Sequence, residues 1–241
     1  MSLLHLVAAS APPWAEVQRS GGDLSISARV PHPSGRAGEE VRLRVSEEKK
    51  KLLVREESPP KWPLCCPERH INSDGTFCLG VGDPIAPRTS SQAALWWVWL
   101  GEFIAAQRHA ERFRAWSIPR ALHHGDAHKY QLAMEKLTAG TFVEDEVRLA
   151  LEEGQGWVAG VVPRLTKDRQ RLTNLRAPCP RGCIKHGRPI LRRKCKQRSL
   201  MFELIKAEHA RRREERSFWD SYKGWPCCGT MDSCPLKSKE L

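Results

Sequence analysis

Cys78 ends the stretch His70-Ile71-Asn72-Ser73-Asp74-Gly75-Thr76-Phe77-Cys78, followed by Leu79 and Gly80. A thiol becomes a useful nucleophile when a nearby base or donor favours its thiolate, and His70 lies in reach along a glycine-containing loop. The structural alternatives are a small buried hydrophobe between Phe77 and Leu79, and a histidine that fastens the loop by hydrogen bonds. Cys65, Cys66, His70 and Cys78 also supply four donor side chains, enough for a zinc site that would make the region structural. Six further thiols, Cys179, Cys183, Cys195, Cys227, Cys228 and Cys234, fall within 56 residues. Glycine and proline around Cys179/Cys183 and Cys228 permit the tight turns from which paired thiolates face one ion. The expected structural zinc set is Cys179, Cys183, Cys228 and Cys234, with Cys195, Cys227 and His186 as substitutes. The alternative is a reduced, cysteine-rich loop region.

These residues need elements to hold them. Leu24 to Val30 and Val41 to Val45 alternate apolar and polar, and Lys51 to Arg55 is a third short apolar run. Their short spacing leaves no room for crossover helices, which predicts an antiparallel meander. A proline- and cysteine-rich coil, Ser58 to Pro67, leads to the Cys78 loop. From Ser90 the period changes: Leu95, Trp96, Trp99, Leu100, Phe103, Ile104 and Gln107 form the stripe of a long amphipathic helix. Ser90 or Ser91 offers its N-cap and Ile118-Pro119 its close. Shorter helices are expected over Ala127 to Ala139, Glu144 to Glu153 and Ser199 to about Arg216. In His123-His124-Gly125-Asp126, Asp126 reads as a cap for the first of these. The order of sheet, helices and cysteine-rich tail gives an α+β class, with a domain over residues 1–162 and a basic module over 163–241.

The order of meander, proline-rich coil, Gly75-Thr76-Phe77-Cys78-Leu79 and long helix resembles the ubiquitin-conjugating (UBC) fold. In that family the active segment reads His-Pro-Asn, several residues, then Gly-x-Ile-Cys-Leu. The likeness covers roughly residues 20–140 and is greatest in the cysteine-rich bacterial branch found beside ubiquitin-like conjugation systems. It implies that Cys78 receives the carboxyl terminus of a ubiquitin-like modifier from an activating enzyme, as a thioester, and passes it to a lysine amine of a protein substrate. His70 stands where the family's oxyanion asparagine usually sits, and Glu68-Arg69 replaces the preceding His-Pro. The tryptophan that follows the family's cysteine by about two turns is delayed to Trp96-Trp97. His70 is therefore the expected oxyanion donor, and a base for the incoming amine, with Asn72 second. By association with that branch the resemblance also implies a role in antiviral defence.

Charge is unevenly distributed. Residues 164–216 hold 18 Lys or Arg against 5 Asp or Glu, while the whole chain carries +12. A localised positive region attracts acidic partners, or simply solvates the surface around a metal site. Two other functions follow from these features. One is an inert UBC-like or zinc-bearing adaptor. The other is a basic zinc protein that binds nucleic acid, disfavoured because Phe202, Phe218, Trp219, Tyr222 and Trp225 read as core rather than as a stacking platform. Without a run of about 20 apolar residues or a secretory signal, the chain is expected to be cytoplasmic and to make no membrane contact.

Overall fold

The computed structural model describes residues 2–80, 86–117, 123–160, 162–173 and 178–237. The chain divides into two compact units, Met1–Ile118 with Gly224–Leu241, and Pro119–Lys223. Residue 163, the expected start of the tail module, falls inside the second unit.

The first unit contains α1 (Leu3–Ala9), β1 (Ala15–Ser20), β2 (Asp23–Ala28), β3 (Val41–Glu48), β4 (Lys51–Glu56) and α2 (Ser90–Phe113). The strands form one antiparallel sheet in the order β1-β2-β3-β4, the expected meander with one more strand. Leu24, Ile26 and Ala28 of β2 and Val41, Leu43 and Val45 of β3 are buried, as the pleat requires of alternate residues. β1 pairs with β2 along its whole length. As an edge strand it half-buries only Ala15 and Val17, so its alternation is weak in the sequence.

Helix α2 brings Trp96, Trp97, Leu100, Phe103 and Ile104 into the same core as β2, β3 and β4. At roughly 1.5–3 kcal/mol per buried large apolar side chain, this face contributes on the order of 10 kcal/mol against chain entropy. The N-cap is Thr89, one residue before the expected serines, and its hydroxyl accepts from the Gln92 N–H at 3.2 Å. The helix ends at Phe113, with Arg114 in the left-handed region. The expected close at Ile118-Pro119 lies outside the described residues. Helix α1 buries Leu4, Leu6 and Val7 and receives the Trp97 indole N–H on the Val7 carbonyl at 2.9 Å.

The second unit contains α3 (Ala127–Thr138), α4 (Glu144–Glu153), α5 (Gly156–Ala159), a hairpin of β5 (Ile184–Lys185) and β6 (Arg188–Pro189), and α6 (Arg198–Ser221). Met134, Val143, Val147, Val158, Met201 and Leu204 form its core. Glu208 is 1 % exposed and accepts from Arg211 at 2.6 and 2.8 Å and from Arg212 at 2.5 Å. Asp126 occupies the N-cap position of α3 without a capping bond, because its carboxylate pairs with Lys129 at 2.6 Å instead. His124 stacks on Phe218 with ring centroids 4.8 Å apart, which accounts for this histidine as part of the packing. Among the described residues, no helix is long and apolar enough to cross a membrane.

Candidate active site

The Cys78 segment is a small hairpin built on the edge of the sheet. Pro67–Arg69 make one 3-10 turn, and His70 then adopts a left-handed backbone with φ 54°. Ile71 exchanges both backbone hydrogen bonds with Cys66 at 3.0 Å and bridges to Phe77 on its other side. The Asn72 N–H donates to the Thr76 carbonyl and the Cys78 N–H to the His70 carbonyl, both at 2.8 Å. The backbones of His70 and Cys78 are therefore paired across the hairpin.

Two contacts fasten this hairpin to the core. The Phe77 N–H donates to the Val54 carbonyl of β4 at 2.7 Å, and the Phe77 ring stacks on Phe103 of α2 at 4.6 Å. Gly80 then crosses the indole of Trp99: a Cβ at this position would come within 3.0 Å of two ring carbons. Trp96 and Trp97 are buried in the core, so Trp99 is the tryptophan that reaches the cysteine loop.

Cys78 is exposed. Protein atoms packed beside its sulfur nevertheless disfavour the thiolate and raise its pKa above the ordinary 9.0, against a smaller opposing effect from the Gly80 N–H. His70 is half-buried, and its ring lies 5.1 Å from that of Trp116. Asn72 uses its side-chain amide inside the loop, donating to the Thr76 hydroxyl at 3.0 Å, and that hydroxyl donates to Asp74 at 2.6 Å. This ties Asn72 to loop geometry.

Arg69 also supports the hairpin. It is 2 % exposed, and it donates to the Gln107 side-chain oxygen at 2.7 Å and the Gln107 carbonyl at 3.1 Å. Gln107 returns a bond to the Arg69 carbonyl at 2.7 Å, so α2 holds the residue before His70 from both sides.

The remaining thiols fall into separate groups. Cys179 and Cys183 belong to the second unit, where Cys183 interacts with Cys179 and with Cys195. Cys228 and Cys234 belong to the first unit, in a cluster with Cys66, Cys227, Ala110 and Met231. Cys66 meets Cys228 across 3.0 Å, which takes it away from the set of Cys65, His70 and Cys78 considered above. Burial pushes the Cys66 thiol up, and pushes that of Cys234 up to about 11. Burial alone would raise the Cys228 thiol too, but hydrogen bonds with Thr230 and Cys66, together with the Arg69 charge, bring it below the ordinary value. Among the described residues, no group of three or more His, Cys, Asp or Glu side chains stands already arranged around a metal position.

A family model described as "Prokaryotic E2 domain" matches residues 14–118, and one described as "Cysteine-rich domain, C-terminal to E2 domain" matches residues 123–236. The chain belongs to the bacterial E2-like, cysteine-rich family. The first match contains the whole Cys78 hairpin and the helix that supports it. The second contains the six C-terminal thiols, including those that pack in the first unit of this E2-like protein. E2 domains as a class act as conjugating-enzyme-type transferases, together with activating enzymes and ubiquitin-like modifiers. No curated protein and no solved structure matches the chain.

Proposed function

We propose that this E2-like protein carries a ubiquitin-like modifier as a thioester on Cys78 and transfers it to a lysine amine of a protein substrate. The observation that carries the reading is the placement of Cys78. It is exposed at the end of a hairpin bonded to β4 and stacked on α2, with His70 opposite it. The Cys78 thiolate attacks the thioester carbonyl held by an activating enzyme, and the activating enzyme's thiolate leaves. The incoming lysine amine then attacks the Cys78 thioester. The C–S bond breaks, an amide bond forms, the amine loses a proton, and the Cys78 thiol is restored.

Both steps pass through a tetrahedral oxyanion, and losing one fixed donor to such a charge typically slows a reaction by about 100- to 1000-fold. His70 is assigned that role, or that of base for the amine. Asn72 ranks second because its amide already donates within the loop. The raised thiol pKa disfavours the Cys78 thiolate in the free protein. Zinc in the cysteine-rich region, a cytoplasmic site of action and a part in antiviral defence complete the reading. A nucleic-acid role for the basic segment is not favoured.

A non-reducing gel of the protein with its activating enzyme, modifier and ATP tests the proposal. A thiol-sensitive adduct is expected, absent in Cys78→Ala and retained when Cys179 and Cys183 are changed to Ser. No adduct alongside a charged activating enzyme would favour the inert adaptor. Single-turnover discharge onto free lysine tests His70: unchanged discharge in His70→Ala would remove it from the mechanism.

A further inference from the structure

We infer that Cys66, Cys227, Cys228 and Cys234 form a structural zinc site that fastens residues 224–237 to the E2 fold, with the buried Arg69 guanidinium balancing its charge. The ligands come from opposite ends of the chain. Cys66 precedes the turn that leads into the Cys78 hairpin, while the other three lie in the returning tail. Cys66 is 2 % exposed and Cys234 5 %, and both pack with Ala110 of α2 and with Met231. The four thiols lie as two pairs: Cys66 with Cys228 at 3.0 Å, and Cys227 with Cys234.

The donor types suit zinc, and the two pairs must close on one another to surround an ion. With Zn–S bonds of about 2.3 Å, a tetrahedron of thiolates has edges near 3.8 Å. The ion therefore requires the closest pair to spread by less than about 1 Å. Adjacent cysteines can both turn toward one ion only where the backbone bends beside them. Gly229, with φ +71°, follows Cys228 directly, and its N–H donates to the Cys227 sulfur at 3.4 Å.

Charge supplies an independent argument. Arg69 donates to Gln107 and, at 3.3 Å, to the Thr230 hydroxyl, and among the described residues Glu111 and Glu56 act on it only from beyond ion-pair distance. Thr230 in turn contacts the Cys228 sulfur at 3.1 Å, which joins the guanidinium to the thiol cluster. A buried cation with only distant counter-charges is costly. Zinc bound by four thiolates carries a net charge of −2 and supplies that counter-charge. Four neutral thiols do not.

The test uses the full-length chain with Cys179, Cys183 and Cys195 changed to Ser, purified under reducing conditions without chelator. Elemental analysis is expected to find one zinc per chain, lost when Cys66→Ser is added and retained with Cys65→Ser. Replacing the zinc by cobalt(II) should give the intense thiolate-to-metal absorption of a tetrahedral site at one equivalent. This readout needs no change in the cluster, so it stands even if Cys66→Ser does not fold. A metal-free chain, a zinc retained after Cys66→Ser with Cys228→Ser, or a Cys66–Cys228 disulfide in place of the metal would each overturn the assignment. The thioester gel reads Cys78 separately, so neither proposal depends on the other.

Discussion

Replacing Gly80 by alanine measures how firmly the thiol loop is held. Gly80 adopts φ +127°, a region almost reserved for glycine, and alanine there costs about 1–3 kcal/mol. The added methyl also meets the Trp99 ring, and overpacking of this kind costs a further 1–3 kcal/mol or so. The sum, roughly 2–6 kcal/mol, is a large part of the 5–15 kcal/mol typical of a domain. Urea unfolding of Gly80→Ala should show this loss, and the yield of Cys78 thioester should fall with it. Adding Trp99→Ala removes the steric part and leaves the backbone part, so the double-mutant cycle should show a favourable coupling of about 1–3 kcal/mol. A Gly80→Ala variant within about 0.5 kcal/mol of the parent, with full thioester yield, would refute the idea that Trp99 supports the loop.

Alkylation of Cys78 by iodoacetamide, followed by peptide mass spectrometry, should still be accelerating at pH 9.0, because its thiolate forms above the ordinary cysteine value. A plateau below that pH would contradict the raised pKa. Glu208→Gln should destabilise the second unit by roughly 2–4 kcal/mol in chemical unfolding, somewhat less than a fully buried ion pair because Arg212 is part-exposed. Burial lowers the His124 pKa below its ordinary 6.5, and above that value both folded and unfolded states leave it neutral. As pH falls below 6.5 the unfolded chain takes up the proton first, so stability is lost down through the folded-state pKa. Thermal unfolding should therefore show acid sensitivity just below neutrality, reduced in His124→Phe. An equal pH response in the two proteins would rule His124 out as its source.

The sheet and helices were legible where one side of an element is buried and the other is not. β2 and β3 alternate for that reason, and the α2 stripe from Trp96 to Ile104 repeats with the helix turn. β1 was not legible, because an edge strand with exposed Glu16, Gln18 and Arg19 has little apolar pattern to read. Helix α4 keeps its expected bounds, whereas the α2 cap moved by one residue to Thr89, because neighbouring Thr and Ser share cap chemistry. Cys78 and His70 stood out through the resemblance at Gly75-Thr76-Phe77-Cys78-Leu79 rather than through type and spacing alone, and the hairpin pairs their backbones. The thiol grouping could not. Spacing ranks partners by closeness in sequence, whereas Cys66 meets Cys228, 162 positions further along the chain. Arg69 looked like a mere departure from the His-Pro of the resembling family. Its burial against Gln107 gives it a supporting role that only the fold reveals.

The return of residues 224–237 to the first unit bears on how the molecule is made. Synthesis delivers the sheet and α2 first, then all of the second unit, and only afterwards the segment with Cys227, Cys228 and Cys234. Domains that are continuous in sequence can fold as they emerge from the ribosome. Here the E2 unit leaves Cys66, Ala110 and the Arg69 side chain uncovered until the last stretch arrives. A nascent chain stalled after Lys223 should therefore expose this apolar, cationic patch to chaperones, although the Cys78 hairpin is already complete.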